Sequence, residues 1–230
     1  MNNYQVNGCF LKTGAQSIRQ QLHLSIQSKV QFLPVITVNI TMFPEYEKQP
    51  ELFQWLKANA FFIPDGISMS LLIFKRYFRL ISRYPGIDMV HDLFSQYNGY
   101  RVAMLGGAPE TLDRATHYFQ TQFSQHALVF SCHGYQSFSD SHLLDLKQSK
   151  PDIVLVALGC PKQDFLLQRL AIALPHGIGI GVGGVFDIWA GAHKRAPKLI
   201  RLFGLEWFYR MLKEPHRFGR FARSLKYLFH

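Results

Sequence analysis

Apolar residues in this chain fall into short continuous runs, and between the runs lie longer stretches in which apolar and polar positions mix at helical spacing. The runs are Phe32–Val38, Phe61–Ile63, Arg101–Leu105, Ala127–Ser131, Asp152–Leu158 and Gly177–Val182. Asp152–Leu158 (DIVLVAL) has no polar alternation, as expected of a strand covered on both faces. Helices are predicted over Pro50–Asn59, Gly66–Ser82, Pro109–Phe123, Asp140–Lys147 and from Asp164 to Leu174. Residues 1–30 are polar and rich in Gln and Ser, with only a weak helical pattern at Ala15–Ile26, and a loop is expected through Arg83, Pro85-Gly86 and Asp88. Strands alternating with helices predict an α/β fold, a Rossmann-like and mostly parallel sheet with helices on both faces.

Parallel strands point their carboxyl ends to one edge, and ligands of such sheets bind there. The polar residues just past the runs therefore converge: Thr37 and Asn39, Asp65 between Pro64 and Gly66, Gly106-Gly107, Tyr135, Gln163 and Asp187. Each also has a plainer reading. Asp65 can bond its own turn, Asp187 can N-cap a segment starting at Ile188, and Gly106-Gly107 can be a tight strand-to-helix turn, since neither GxGxxG spacing nor a Walker lysine accompanies it.

Charge is distributed unevenly. From Lys194 to His230 there are ten Lys and Arg against two acids, whereas the first 193 residues carry fifteen against thirteen. The chain is therefore expected to divide into an α/β domain, residues 1–193, and a basic helical C-terminal appendage, residues 194–230. On a helical wheel Phe218, Phe221, Ala222, Leu225, Leu228 and Phe229 share one side, Arg220, Arg223 and Lys226 the other, with Arg217 at the boundary. A basic amphipathic helix with an aromatic face suits an anionic membrane surface; a terminal helix docked on its own core is the alternative.

No apolar run is long enough to span a bilayer, because Lys75, Arg76 and Arg79 interrupt the run that begins at Ile67. Three widely spaced cysteines (Cys9, Cys132, Cys160) argue for a reducing compartment and against a disulfide framework. There is no DxD, and the ten histidines form no HxxxH pair, so no metal and no other cofactor is assigned. A leaving diphosphate would then need arginines or helix N-termini. Nucleic acid is not expected as a partner, since no reading motif accompanies the basic tail.

These residues, taken in order, resemble the WecG/TagA/CpsF family of bacterial glycosyltransferases. The likeness runs over roughly residues 35–225 and is carried by Thr37-Val38-Asn39, Pro64-Asp65-Gly66, Arg83 with Gly86-Ile87-Asp88, Gly159 with Pro161-Lys162-Gln163, Gly181 to Asp187, Lys194-Arg195-Ala196-Pro197 and Gly204-Leu205-Glu206-Trp207. The resemblance implies transfer of N-acetylmannosamine or its uronic acid from a UDP-sugar to undecaprenyl-diphosphate-linked N-acetylglucosamine. It implies inversion without a metal, by a peripheral protein at the cytoplasmic face of the plasma membrane. It assigns Asp65 as general base, Thr37, Asn39 and Gln163 to the sugar, Tyr135 and Asp187 to the uridine, and Arg83 to phosphate. Arg210, Arg217 and Arg220 would close over the diphosphate. The sequence departs from the family pattern at Ile63, Ser82 and Asp164, where Asn, Glu and Glu are usual. A hexose transferase on another polyprenyl-diphosphate glycan, or a nucleotide-binding module without catalysis, would share most of these features.

Overall fold

A computed structural model of the chain describes residues 2–29, 31–81, 83–135, 138–193, 196–197, 200, 209 and 217–229. The strands are β1 (Asn2–Val6), β2 (Cys9–Thr13), β3 (Leu33–Val38), β4 (Phe61–Pro64), β5 (Arg101–Gly106), β6 (Ala127–Cys132), β7 (Ile153–Ala157) and β8 (Ile178–Gly181). They form one sheet in the order β1-β2-β4-β3-β8-β7-β5-β6, parallel everywhere except the β1–β2 hairpin. The α/β reading of the sequence holds.

Helices cover both faces because the strand residues alternate between two cores. Ile36, Val38, Phe62, Val154 and Val156 turn to one face. There they meet α3 (Pro50–Asn59), α4 (Ile67–Tyr77) and α8 (Lys162–Ala173) through Leu56, Ile73 and Leu167. Val35, Phe61, Ile63, Ile153 and Leu155 turn to the other. That face is covered by α1 (Ala15–Gln27), α5 (Gly86–Gln96), α6 (Pro109–Gln122) and α9 (Val185–Trp189). Further helices among the described residues are α2 (Phe43–Glu47), α7 (Asp140–Gln148), α10 (Arg217–Ser224) and α11 (Lys226–Phe229).

Three features differ from the sequence reading. Residues 2–13 are not featureless but form the β1–β2 hairpin, which extends the sheet by pairing Leu11 of β2 with Phe62 of β4. Its turn is Asn7-Gly8, both at positive φ (49° and 80°), the backbone a two-residue hairpin loop requires. The loop expected through Asp88 is instead α5, which buries Met89, Val90, Leu93 and Phe94. Helix α4 also stops earlier than expected, at Tyr77, where Phe78 takes a left-handed conformation and caps it.

The order of the sheet creates one crevice that matters. β3 and β8 are neighbours, but β3 sends the chain to the α2–α3 side and β8 sends it to α9 on the opposite face. Adjacent strands whose outgoing connections diverge leave a gap beyond their carboxyl ends, the place where open α/β sheets bind ligands.

Candidate active site

A cavity of about 620 Å³ occupies that gap, of the size that takes a small-molecule substrate. Thr37, Asn39, Asp65, Arg83, Gln163 and Asp187 all line it. Six side chains thus meet at one place: five lie at or just beyond the carboxyl ends of β3, β4, β7 and β8, and Arg83 comes from the connection between α4 and α5.

Each is held by its local backbone. Asp65 directly follows β4, and its N–H donates to the Val38 carbonyl at 2.8 Å, so the acidic turn is a continuation of the β3–β4 ladder. Gly66 beside it sits at φ 82°, which turns the chain abruptly into α4. Thr37 donates its hydroxyl to the Gly181 carbonyl at 3.2 Å, bridging β3 and β8 across the floor. Asn39 caps the 3-10 turn Ile40–Met42, its Oδ1 accepting from the Thr41 N–H at 3.0 Å and the Thr41 hydroxyl at 2.6 Å. With that oxygen occupied, what Asn39 can offer a ligand is its NH2 group.

Gln163 is almost fully buried, at 5% exposure. Its Oε1 accepts from the Gly183 N–H at 3.2 Å, so it fixes the loop after β8 as well as lining the cavity. Asp187 lies in the first turn of α9, which begins at Val185 with Gly184 at its N-cap, so the alternative reading of Asp187 as N-cap of a segment at Ile188 does not apply. Its neighbours Phe186 and Trp189 are buried, with the Trp189 ring stacked on Tyr118 of α6, and this anchors the turn that carries Asp187. Arg83 precedes Tyr84, whose hydroxyl donates to Asp92 Oδ2 at 3.0 Å. Arg19 Nη1 reaches the same carboxylate oxygen at 3.0 Å, so the base of the Arg83 segment is tied to α1 and α5.

Tyr135 is placed differently. It follows β6, is 82% exposed, and does not line this cavity. Gly106-Gly107 stands nearby, Gly134 N–H donating to the Gly107 carbonyl at 2.8 Å. Gly107 itself donates to Ala157 O at 3.1 Å, and a Cβ on Gly106 would sit 2.3 Å from that same oxygen. The tight-turn reading of this pair is therefore the one the geometry supports, and the pair does not line the cavity. Arg210 lies outside the described residues, as do the side chains of Arg217 and Arg220. The backbone of the last two belongs to α10, whose Phe221 lines the cavity together with Leu228 of α11.

The basic tail is docked on the domain. Lys226 Nζ meets Glu47 Oε2 at 2.6 Å, Lys75 Nζ donates to the Leu228 carbonyl at 3.2 Å, and the Tyr227 ring packs against Phe43 at 5.4 Å. The residues turned inward are Phe221, Ser224, Tyr227 and Leu228, while Phe218, Ala222 and Leu225 of the apolar side face outward. The described part of the tail thus follows the docked-helix alternative, with these three apolar side chains left outside the contact.

Two carboxylates were not singled out from the sequence as site groups. Glu45 of α2 lines the cavity, with Lys48 Nζ at 3.0 Å and Arg223 Nη1 at 3.9 Å from its oxygens. Asp164, next to Gln163, is completely buried, and burial pushes its carboxyl up to about 7 despite hydrogen bonds that favour the charged form. The sequence marks Asp164 only as a departure from the family pattern and Glu45 not at all; the fold brings α2 to the cavity and buries Asp164 in α8. Among the described residues no three His, Cys, Asp or Glu side chains gather as metal ligands would. No described helix is long and apolar enough to cross a membrane.

A crevice at the switch point of a parallel sheet, with a carboxylate at a strand end and cationic side chains close by, is a fitting place for a transfer reaction on an anionic substrate. The chain matches the Glycosyl transferase WecG/TagA/CpsF family over residues 7–230, nearly its whole length, and it belongs to that family of glycosyltransferases.

Proposed function

We propose that this glycosyltransferase inverts the sugar it moves, works without a metal, and takes N-acetylmannosamine or N-acetylmannosaminuronic acid from a UDP-sugar. The acceptor is undecaprenyl-diphosphate-linked N-acetylglucosamine, in the synthesis of a cell-surface polysaccharide or teichoic acid. What supports the reading is the meeting of Asp65, Thr37, Asn39, Gln163, Asp187 and Arg83 in one cavity, with the basic tail at its rim.

In this mechanism Asp65 accepts the proton of the acceptor hydroxyl as that oxygen bonds to the anomeric carbon. The bond from the anomeric carbon to the UDP oxygen breaks, and its electron pair leaves on the diphosphate. A carboxylate serves because proton loss and attack coincide, so the base need only be close and correctly aimed. Thr37, Asn39 and Gln163 orient the sugar, and Asp187 holds the uridine; Tyr135, exposed and outside the cavity lining, is given no part in it. The diphosphate charge falls to Arg83 and, from the tail, to Arg210, Arg217 and Arg220, since a guanidinium can fork two hydrogen bonds onto phosphate oxygens. Catalysis is thereby coupled to the arrival of the tail at the cytoplasmic face of the plasma membrane, where the protein is peripheral and the acceptor lipid resides.

The test is a panel of UDP-sugars with a lipid-diphosphate-linked N-acetylglucosamine analogue, with and without EDTA, on the wild type and Asp65→Asn. One donor should be turned over equally in both buffers. The variant should bind UDP normally and turn over at least about 100-fold more slowly. Undiminished turnover in the variant removes Asp65 from the role, and loss of activity in EDTA removes the metal-free mechanism.

A further inference from the structure

Helix α4 is apolar on two opposite sides. Met69, Leu72 and Ile73 are buried against the sheet. At 100° per residue, Ile67, Leu71 and Phe74 form a narrow line on the other side, which Phe78 continues just past the helix end. Ile67 and Leu71 form part of the cavity wall. Beyond them exposure rises along the line, from 42% at Phe74 to 82% at Phe78, and Leu80 is also 82% exposed. An apolar track thus leaves the cavity that holds Asp65 and ends in open solvent.

A surface helix normally keeps its outer side polar. The end of this track is doubly unfavourable for an isolated soluble protein. Phe78 presents an aromatic ring to water, and it does so from a left-handed backbone (φ 52°) that bulky residues seldom adopt. Its position is not that of a loose end. The preceding Tyr77 is held by β1, its hydroxyl donating to the Gln5 carbonyl and accepting from the Gln5 N–H, both at 3.0 Å. Phe78 N–H in turn donates to Phe74 O at 2.8 Å. Lys75, Arg76 and Arg79, all exposed, flank Phe78 along the chain. Apolar tips among cations complement an anionic lipid surface, whereas a second copy of the chain would bring the same positive charges face to face.

We propose that the outer side of α4 with Phe78 and Leu80 is a second membrane-docking element, separate from the tail, whose partner is an anionic bilayer. The proposal deepens the peripheral-membrane reading above and rests on it. Phe78 and Leu80 enter the acyl boundary, Lys75, Arg76 and Arg79 lie at the lipid phosphates, and the cavity mouth between Leu71 and Leu228 faces the lipid. Lys75, bonded to the Leu228 carbonyl, ties this element to the tail, so the two dock as one surface.

The experiment is flotation of the full chain with vesicles of phosphatidylglycerol and phosphatidylethanolamine, and with phosphatidylcholine alone. It compares the wild type, Phe78→Asn/Leu80→Gln, and the tail variant Phe218→Ser/Leu225→Ser. Asn tolerates a left-handed backbone, so the first variant should melt no lower than the wild type. It should bind anionic vesicles at least about tenfold more weakly, the scale of losing one buried aromatic or leucine side chain. Its turnover of a short-chain, water-soluble acceptor should be unchanged. Wild-type flotation with an equally buoyant Phe78→Asn/Leu80→Gln variant overturns the α4 element alone. A wild type that stays in the bottom fraction overturns the peripheral reading with it. A sedimentation shift from dimer to monomer in the variant, with vesicle binding intact, assigns the patch to self-association and overturns the proposal as well.

Discussion

The Tyr46 hydroxyl donates to Asp164 Oδ2 at 3.4 Å, in a buried position where α2 meets α8. The other carboxylate oxygen, Oδ1, has no hydrogen-bond partner. Burial also holds the Cys160 thiol and the Tyr46 phenol well above their usual ranges, so below about pH 7 the three are neutral together.

A pH dependence of stability follows. Folded Asp164 keeps its proton up to about 7, whereas the unfolded carboxyl releases it near the ordinary value of 3.8. Between those values the folded state binds the extra proton, so stability falls as pH rises through the window and levels off above it. Asp164→Asn removes the dependence while keeping the shape and an acceptor for Tyr46. Melting at pH 4, 6 and 8 should show the variant near the wild type at pH 4 and more stable by a few kcal/mol at pH 8. Parallel curves would mean that Asp164 is charged throughout.

The Gly106 turn should be intolerant for a steric reason, not a catalytic one. An alanine Cβ there would lie 2.3 Å from the Ala157 carbonyl oxygen, backbone that cannot step aside, at φ 115°. Gly159 also has positive φ (73°), but nothing stands within 4 Å of its would-be Cβ. Gly159→Ala should therefore cost about 1–2 kcal/mol, the left-handed penalty alone. Gly106→Ala should cost well above that, roughly 4 kcal/mol or more, or abolish soluble expression. Urea titration of both variants tests the contrast.

Attachment of the tail should depend little on its ion pair with the domain. Lys226 and Glu47 approach to 2.6 Å, but both side chains are about half exposed. Exposed pairs contribute about 0–1 kcal/mol and are screened by salt. A double-mutant cycle with Lys226→Ala and Glu47→Ala should give a coupling in that range that shrinks as ionic strength rises. A larger, salt-resistant coupling would mean that water is excluded from the pair.

How much of this could be read from the sequence depends on whether the signal was local. The apolar runs gave the parallel strands to within about a residue, and strand ends in a parallel sheet share an edge. That alone brought Thr37, Asp65, Gln163 and Asp187 together. Asn7-Gly8 was a local signal too, a strong hairpin turn between Val6 and Cys9, but the polar surroundings of β1 and β2 concealed it. The spacing of Met89, Val90, Leu93 and Phe94 was likewise present, hidden behind the Pro85-Gly86 pair that opens α5. Tyr135, Glu45 and Asp164 were not legible in this way. Tyr135 also follows a strand, but β6 is an edge strand separated from β8 by β7 and β5, so strand-end position was insufficient. Glu45 and Asp164 acquire their settings from long-range packing. The outer side of α4 was visible only as an apolar run cut short by charge, and exposure was needed to separate its two faces.

Gly181 and Gln163 carry a prediction that tests how the floor of the site is built. Gly181 ends β8 and has an ordinary strand backbone, so alanine there meets no conformational penalty. A Cβ would, however, stand 2.8 Å from Gln163 Nε2, the movable end of a side chain. Gly181→Ala should therefore displace Gln163, break its bond to the Gly183 N–H, and loosen the loop leading to Asp187. Removing the obstructing amide with Gln163→Ala takes away both the clash and the bond. The double variant should then be no less stable than Gln163→Ala alone, a strongly non-additive cycle with a coupling of about 1–2 kcal/mol. Donor affinity should follow the same pattern, with Gly181→Ala weakening UDP binding in the wild-type background and having little effect once Gln163 is alanine. Additive effects in both stability and UDP titration would mean that Gly181 acts on the ligand directly and not through Gln163.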